Sequence, residues 1–171
     1  CGPGNTHLIQ GLYDANRSHA PVLAIASHIP SPQIGMSFFQ ETHPDRLFVE
    51  CSVYNELVST PQQSPRVFDS AIRHATTLKG VSVVTLPGDV ADEEANVPTP
   101  RFVKTAEPAV VPPPEVVQQF ADLVNSAGKV AIFAGAGVKG AHDEVIELAR
   151  ILSAPVGHSL RGKEYIQHNN P

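Results

Sequence analysis

A proline-rich stretch in the middle of the chain limits the possible folds more than any other feature. NVPTPRFVKTAEPAVVPPPE occupies positions 96–115 and contains six prolines. Proline has no backbone N–H and a fixed φ, so this stretch cannot form a helix interior or a central strand. We therefore predict an extended linker over residues 93–114, which separates one domain over residues 1–92 from another over residues 115–171.

Strand and helix patterns alternate on both sides of this linker. VLAIAS, VSVVTLP, KVAIFA and APVGHSL are short apolar runs of the kind that form buried strands, and FVECSVYN is predicted to form a further strand. Amphipathic helical patterns lie between them, and Lys79–Gly80 is expected to end the helix that starts at Ser64–Pro65. The predicted fold is α/β, with parallel sheets covered by helices on both faces in two partial Rossmann-like domains.

Composition excludes several classes of function. The net charge is −5 and no basic cluster is present, so nucleic acid is not an expected partner. No apolar run approaches the roughly 20 residues that a membrane helix requires. Cys1, Cys51 and the eight histidines show no metal-ligand spacing, which predicts no metal site and favours a reducing, cytoplasmic setting.

The opening CGPGNT is a glycine turn that leads directly into a helical pattern. Gly2 and Gly4 allow close backbone approach, and Asn5 or Thr6 is the expected N-cap of the helix. The turn could hold the polar edge or the phosphate of a ligand at the helix N-terminus. It could equally need glycine for geometry alone.

A second glycine turn, GAGVKGAH, follows the KVAIFA strand. Its glycines match the G-x-G-x-x-G pattern of dinucleotide sites, but the acidic residue expected about 20 positions later is absent. HSLRGKE occupies that position, where Arg161 and Lys163 could neutralise the phosphates of a cofactor. The alternative is a structural turn followed by solvated basic residues.

The stretch SFFQETHP follows the VLAIAS strand as a loop. Phe38, Phe39 and Gln40 combine aromatic rings with an amide, which is typical of pocket lining at the carboxyl edge of a sheet. The rings could instead only pack the loop onto the core. Asp89 follows a Pro-Gly turn, where an aspartate is usually structural.

These segments, in this order, resemble the thiamine diphosphate-dependent pyruvate oxidases, most closely their quinone-linked branch. That branch oxidatively decarboxylates pyruvate to acetate and CO2 with thiamine diphosphate, magnesium and FAD, and passes the electrons to a quinone. FFQETHP and LRGKE carry the resemblance to this branch, whereas GPGN with LIQGLYDA also resembles acetolactate synthase. The alternatives are therefore an acetolactate synthase-like carboligase or a non-catalytic truncated subunit.

The resemblance implies an internal fragment of a three-domain enzyme. Residues 1–92 would be the second half of a pyrimidine-binding domain, and residues 115–171 the first part of a central FAD domain. The family's catalytic glutamate would precede Cys1, and its magnesium-diphosphate motif would lie in a third domain. We therefore expect the fragment alone to be inactive, to retain no cofactor, and to self-associate through open sheet edges.

The resemblance also implies roles for individual residues. Phe39 and Gln40 match a Phe-Gln pair beside the reacting thiamine adduct and the flavin ring. The implied cofactor-binding residues are Pro3 and Asn5 near the aminopyrimidine, and Gly135, Ala136, Gly137, Arg161, Gly162 and Lys163 along the FAD. Pyruvate, a quinone and further copies of the chain in a dimer or tetramer are the implied partners. Peripheral attachment of the parent protein to the inner face of the membrane stays open.

Overall fold

A computed structural model describes residues 1–98, 103, 106 and 109–170. It divides into two compact units, Cys1–Ala109 and Val110–Pro171. The division falls inside the predicted linker, of which Pro100 and Pro108 lie outside the described residues. The domain assignments themselves remain predictions. Within the described residues, no helix has both the length and the apolar character needed to cross a membrane.

The first unit is a three-stranded parallel sheet between helices. Its strand order is β1-β3-β2, and the register pairs Ala26 with Thr85 and Leu57 with Thr85 across the central strand. The elements, in chain order, are α1 (Pro3–Arg17), β1 (Val22–His28), α2 (Pro44–Leu47), β2 (Tyr54–Leu57), α3 (Ser64–Leu78), β3 (Val81–Pro87) and α4 (Gly88–Asp92).

Helices cover both faces of this sheet. Successive residues of a strand face opposite sides, and Val83 and Val84 of β3 are both fully buried. One face packs against Leu12 of α1, and the other packs against Val67 and Ala71 of α3. The observed pattern confirms the predicted α/β class, and it explains why β3 reads as a continuous apolar run.

The structure corrects two local predictions in this unit. Helix α1 begins at Pro3, so neither Asn5 nor Thr6 is its N-cap. The FVECSVYN stretch is a strand only from Tyr54, because Phe48 ends a helical turn that Pro44 begins. Phe48 and Cys51 are nevertheless fully buried, so the apolar signal there marks a core-facing turn and not a strand.

The helix α3 ends where the sequence predicts. Lys79 adopts a left-handed conformation with φ of 50°, and its N–H donates to the Ala75 carbonyl oxygen. A Cβ on the next residue, Gly80, would lie 2.7 Å from Cγ1 of Val53. Glycine therefore permits the close passage of the chain from α3 into β3.

The second unit contains two parallel strands with helices around them. Its elements are α5 (Pro114–Ser126), β4 (Ile132–Ala134), α6 (His142–Leu152), β5 (Val156–His158) and α7 (Lys163–Ile166). The register pairs Ile132 with Val156. No residue of α5 is buried, and Phe120 and Leu123 on that helix expose 57% and 69% of their surfaces.

Candidate functional site

The opening glycine turn is fastened to the carboxyl end of β1. Asn5 is only 3% exposed, and its Nδ2 donates to the carbonyl oxygen of Ser27 at 2.9 Å. The backbone nitrogen of Cys1 donates to Oγ of the same serine at 3.0 Å. A buried amide needs such a partner, so Asn5 positions the turn and does not cap the helix.

Gly2 brings a distant loop against this turn. Its φ of 59° and ψ of −116° form a backbone conformation that favours glycine, and a Cβ there would lie 2.7 Å from the carbonyl oxygen of Gln40. The side chains of Cys1 and Gln40 are also adjacent, with 3.8 Å between Sγ and Oε1. The two candidate sites predicted from separate stretches, Pro3 with Asn5 and Phe39 with Gln40, thus meet at one place.

Gly4 behaves differently from Gly2. A Cβ at Gly4 would meet nothing within 4 Å, so the packing of this unit leaves open space there. Pro3 beside it is exposed at the first position of α1. The geometrical interpretation of the turn therefore accounts for Gly2, while Gly4 and Pro3 present an open surface at the start of a 15-residue helix.

The loop that carries Phe39 is held in a defined shape by Glu41. The carboxylate of Glu41 accepts hydrogen bonds from the backbone N–H groups of Gly35 and Phe38. These bonds, led by the one from Gly35, lower the pKa of Glu41. Gln40 adopts a left-handed φ of 62°, and Phe39 is 78% exposed, so the Phe39 ring does not pack onto the core of this unit.

Asp89 has the structural role that its sequence context predicts. Its carboxylate accepts hydrogen bonds from the backbone N–H of Ser31, at 2.8 Å, and from the Ser31 hydroxyl. The hydroxyl bond is the main cause of its lowered pKa. Asp89 thereby ties the segment after β1 to the start of α4, and no part of this arrangement points to chemistry.

A cavity of about 210 Å³ opens at the same end of the sheet, and the sequence analysis missed it. His28, the last residue of β1, lines this cavity. This histidine is 7% exposed, and burial lowers its pKa. The other lining residues are Ile34, His43, Pro44, Asp45, Leu57 and Thr85. The sequence does carry a signal for this cavity. Every second residue, on one face of each strand, is apolar until a polar residue ends the series: His28 after Ala24 and Ala26, and Thr85 after Val81 and Val83.

In the second unit, Gly162 locks a basic segment onto the end of β4. A Cβ at Gly162 would collide with the carbonyl oxygen of Ala134, and the backbone N–H of Ser159 donates to that same oxygen at 2.9 Å. Gly162 N–H in turn donates to Oγ of Ser159 at 3.0 Å. Arg161 and Lys163, both exposed, therefore lie next to the turn that begins at Gly135.

That turn does not run directly into a helix, as the dinucleotide pattern would require. Residues Ala136–Val138 form a 3-10 turn, Gly140 has a φ of 81°, and α6 begins only at His142. A Cβ at Gly135 or at Gly137 would meet nothing within 4 Å. Open space therefore adjoins these glycines, next to the exposed basic residues Arg161 and Lys163.

Two models of one enzyme family match separate parts of the sequence. Residues 1–47 match the thiamine pyrophosphate enzyme N-terminal TPP binding domain, and residues 117–171 match the thiamine pyrophosphate enzyme central domain. The chain belongs to the thiamine pyrophosphate enzyme family. The first match contains the Gly2 turn and the Phe39–Gln40 loop, and the second contains the Gly135 turn and the Arg161–Lys163 segment.

Individual relatives cover the whole chain. A protein of Pseudomonas amyloderamosa, named "Uncharacterized 42.6 kDa protein in isoamylase 3'region", is 53% identical over 100% of this chain and 44% of its own length. The pyruvate oxidase of Lactiplantibacillus plantarum is 30% identical over 99% of this chain and 30% of its own length. The acetolactate synthase of Arthrospira platensis is 30% identical over 99% of this chain and 31% of its own length.

The chain thus spans less than half the length of each of these relatives. Identity to the pyruvate oxidase and to the acetolactate synthase is the same, 30%, so identity does not separate the two activities. Both matched models describe domains of thiamine pyrophosphate enzymes, so thiamine diphosphate is the cofactor associated with this family. Among the described residues, no group of three or more His, Cys, Asp or Glu side chains is placed to hold a metal ion.

Proposed function

We propose that this chain is part of a thiamine diphosphate-dependent flavoprotein that oxidatively decarboxylates pyruvate to acetate and CO2, with a quinone as electron acceptor. The parent enzyme would be similar to pyruvate dehydrogenase (quinone). The observation that carries the proposal is the contact between Gly2 and Gln40. It gathers the turn of the thiamine-binding domain and the FFQETHP loop at one edge of the sheet.

In this proposal, the described residues position ligands and do not supply acid–base chemistry. Thiamine diphosphate, when bound, provides the electron sink for decarboxylation. Asn5 fixes the turn through Ser27, and Pro3 would present the start of α1 to the aminopyrimidine. Phe39 would supply an apolar surface beside the substrate, and Gln40 would supply an amide that can donate to it or accept from it.

The exposure of Phe39 supports a site that groups from elsewhere would complete. A phenyl ring that is 78% exposed gains stability when another surface covers it. In the proposed enzyme, that surface is the cofactor together with a second subunit in a dimer or tetramer. The catalytic glutamate and the magnesium ligands would also come from outside this chain, so the chain alone would be inactive.

The second unit would hold FAD in the same enzyme. Gly135, Ala136 and Gly137 would admit the flavin nucleotide, and Arg161 and Lys163 would face its phosphates. Gly162 would keep that basic segment against β4. We place the enzyme in the cytoplasm, and peripheral attachment to the membrane would bring it to a lipid-soluble quinone.

An acetolactate synthase-like carboligase is the second candidate function. The observation in its favour is that the Arthrospira platensis synthase matches as well as the Lactiplantibacillus plantarum oxidase does. In that case FAD would be held without net redox turnover. A third possibility is a non-catalytic subunit, which would follow if the complete protein turned over neither pyruvate nor a quinone.

A single assay separates these candidates. The complete protein is supplied with thiamine diphosphate, magnesium and FAD, and pyruvate-dependent reduction of a soluble quinone is followed while acetolactate is assayed in the same reaction. Quinone reduction without acetolactate supports the oxidase, and acetolactate with an idle flavin supports the carboligase. Gln40→Ala should lower pyruvate turnover at least tenfold, and unchanged turnover would remove Gln40 from the site.

A further inference from the structure

Two polar side chains end apolar rows on one face of the sheet. His28 follows Ala24 and Ala26 at two-residue spacing on β1, and Thr85 follows Val83 in the same way on β3. They are 7% and 2% exposed. Because Ala26 pairs with Thr85 in the register, the two polar groups lie on the same face, at the carboxyl ends of the strands.

The cavity of about 210 Å³ lies over these two groups. Ile34, Pro44 and Leu57 provide its apolar walls. Asn55 holds the lining residues Pro44 and Asp45 in place, because its Nδ2 donates to both of their carbonyl oxygens at 3.1 Å each. Ligands of open parallel sheets bind outside the carboxyl ends of the strands, which is where this cavity opens.

The hydrogen-bonding state of the two polar groups is well defined. Oγ1 of Thr85 is buried and has no partner among the described residues. Nδ1 of His28 accepts a hydrogen bond from the backbone N–H of Ile29 at 3.0 Å, so the proton of the neutral ring is on Nε2. Both groups can therefore donate a hydrogen bond to an oxygen atom in the cavity, and a buried hydroxyl without a partner is unfavourable.

The charges around the cavity select against an anionic ligand. The carboxylates of Glu41 and Asp45 act on His28, and His43 and the N-terminal amine of Cys1 act on it in the opposite direction. Burial holds the His28 ring in its uncharged form by lowering its pKa. A carboxylate or phosphate would thus enter a site with two nearby negative groups and, among the residues that the structure describes, no buried positive group, whereas an uncharged oxygen would not be repelled.

We propose that this cavity binds a small uncharged carbonyl compound, whose oxygen accepts hydrogen bonds from Nε2 of His28 and Oγ1 of Thr85. Ile34, Pro44 and Leu57 contact its apolar part. A simple ketone and a quinone ring share this chemistry. The proposal is independent of the proposed function, because binding is measured without turnover and pyruvate itself carries a carboxylate.

The test is a titration of the full chain with its histidine rings labelled with ¹⁵N. The His28 ring signal is identified by its loss in His28→Gln. The probes are butanone, duroquinone and sodium acetate. Duroquinone is chosen because all its ring carbons are substituted, so the exposed thiol of Cys1 has no unsubstituted ring position to add to. We expect butanone or duroquinone to shift the His28 signal saturably, and acetate to give no saturable shift.

Two variants of β3 provide the matched comparison. Thr85→Val removes the unpartnered hydroxyl in the cavity and should raise the Kd of the carbonyl probe roughly three- to tenfold, the value of one hydrogen bond. Ser82→Ala removes a hydroxyl that is equally buried and also lacks a partner among the described residues, but lies on the opposite face of β3. The Kd of the carbonyl probe for Ser82→Ala should equal the Kd for the unsubstituted chain.

Each contrary outcome overturns the proposal. The absence of a saturable shift with either carbonyl probe would mean that the cavity holds water only. Acetate binding as tightly as butanone would make it an anion site. Equal affinity of Thr85→Val and the unsubstituted chain would remove the hydroxyl from recognition. A tighter Kd for duroquinone than for butanone would identify a quinone ring, and the reverse a simple ketone.

Discussion

Replacing Gly2 by alanine tests the contact on which the proposed site depends. The residue has a φ of 59° and a ψ of −116°, a sparsely populated backbone conformation that costs a non-glycine residue about 1–3 kcal/mol. The new methyl group would also lie 2.7 Å from the carbonyl oxygen and 2.8 Å from Cβ of Gln40. Overpacking of this kind costs roughly 1–3 kcal/mol. The two terms together predict a loss of about 2–6 kcal/mol from the free energy of unfolding of the first unit.

Gly4→Ala is the matched control, because it makes the same substitution two residues away. A Cβ at Gly4 meets nothing within 4 Å and the backbone there is helical, so alanine should stabilise α1 by up to about 1 kcal/mol. The two substitutions are therefore predicted to have opposite signs.

The measurement is urea unfolding of the full chain, followed by NMR signals of the first unit. Because the chain has two compact units, their transitions must be followed separately. A loss below about 1 kcal/mol for Gly2→Ala would refute the reasoning, because neither the positive φ of this residue nor its contact with Gln40 would then be present in solution. A loss of similar size for Gly4→Ala would show that the turn is sensitive to any side chain.

Two further predictions concern the other positions that the structure singles out. Gly162→Ala should destabilise the second unit by about 2 kcal/mol or more, because the new methyl group would meet backbone atoms of Ala134. Gly157→Ala is the control: its new methyl group would lie 3.7 Å from the nearest atom, in the Phe133 ring, and should cost under about 1 kcal/mol in the same urea experiment. Because burial lowers the pKa of His28 in the folded state, the unfolded chain takes up the proton first. The contribution of His28 is therefore complete above the unfolded pKa of about 6.5 and is lost as the pH falls below it. His28→Gln should flatten this part of the pH profile of unfolding, and an unchanged profile would contradict the burial of the ring.

The strands and the α/β class could be predicted from the sequence because their signals are local. A continuous apolar run such as VSVVTLP records burial on both sides of one strand, and no distant residue is needed to interpret it. The start of α1 was mispredicted because Asn5 is a good capping residue in isolation. Its bond to Ser27, 22 positions away, overrides that local preference.

The candidate site shows the same division between local and distant causes. The residues of the GPGN turn and of the FFQETHP loop could be singled out from the sequence, but their contact could not, because 38 positions separate Gly2 from Gln40. The FVECSVYN error has a related cause. Phe48 and Cys51 are three residues apart, a spacing that places both on one side of a helical turn but on opposite sides of a strand, and the helical turn that begins at Pro44 decides between them.

The structure also separates two kinds of glycine that the sequence leaves indistinguishable. Gly2 and Gly162 admit a second segment of backbone to the end of a strand, at Gln40 and at Ala134, so the fold itself requires them. Gly135 and Gly137, like Gly4, border open space, because a Cβ at any of these positions would meet no atom within 4 Å.

This difference bears directly on the alternative explanations of both turns. A glycine that the fold does not require still costs conformational entropy, roughly 0.5–1 kcal/mol relative to alanine inside a helix. Each candidate site contains both kinds of glycine. In the first, Gly4 lies close to Gly2, which the fold requires, and in the second, Gly135 lies close to Gly162, which the fold also requires. Geometry alone therefore explains one glycine in each site, and under the proposed function the approach of a ligand to the backbone would explain the others.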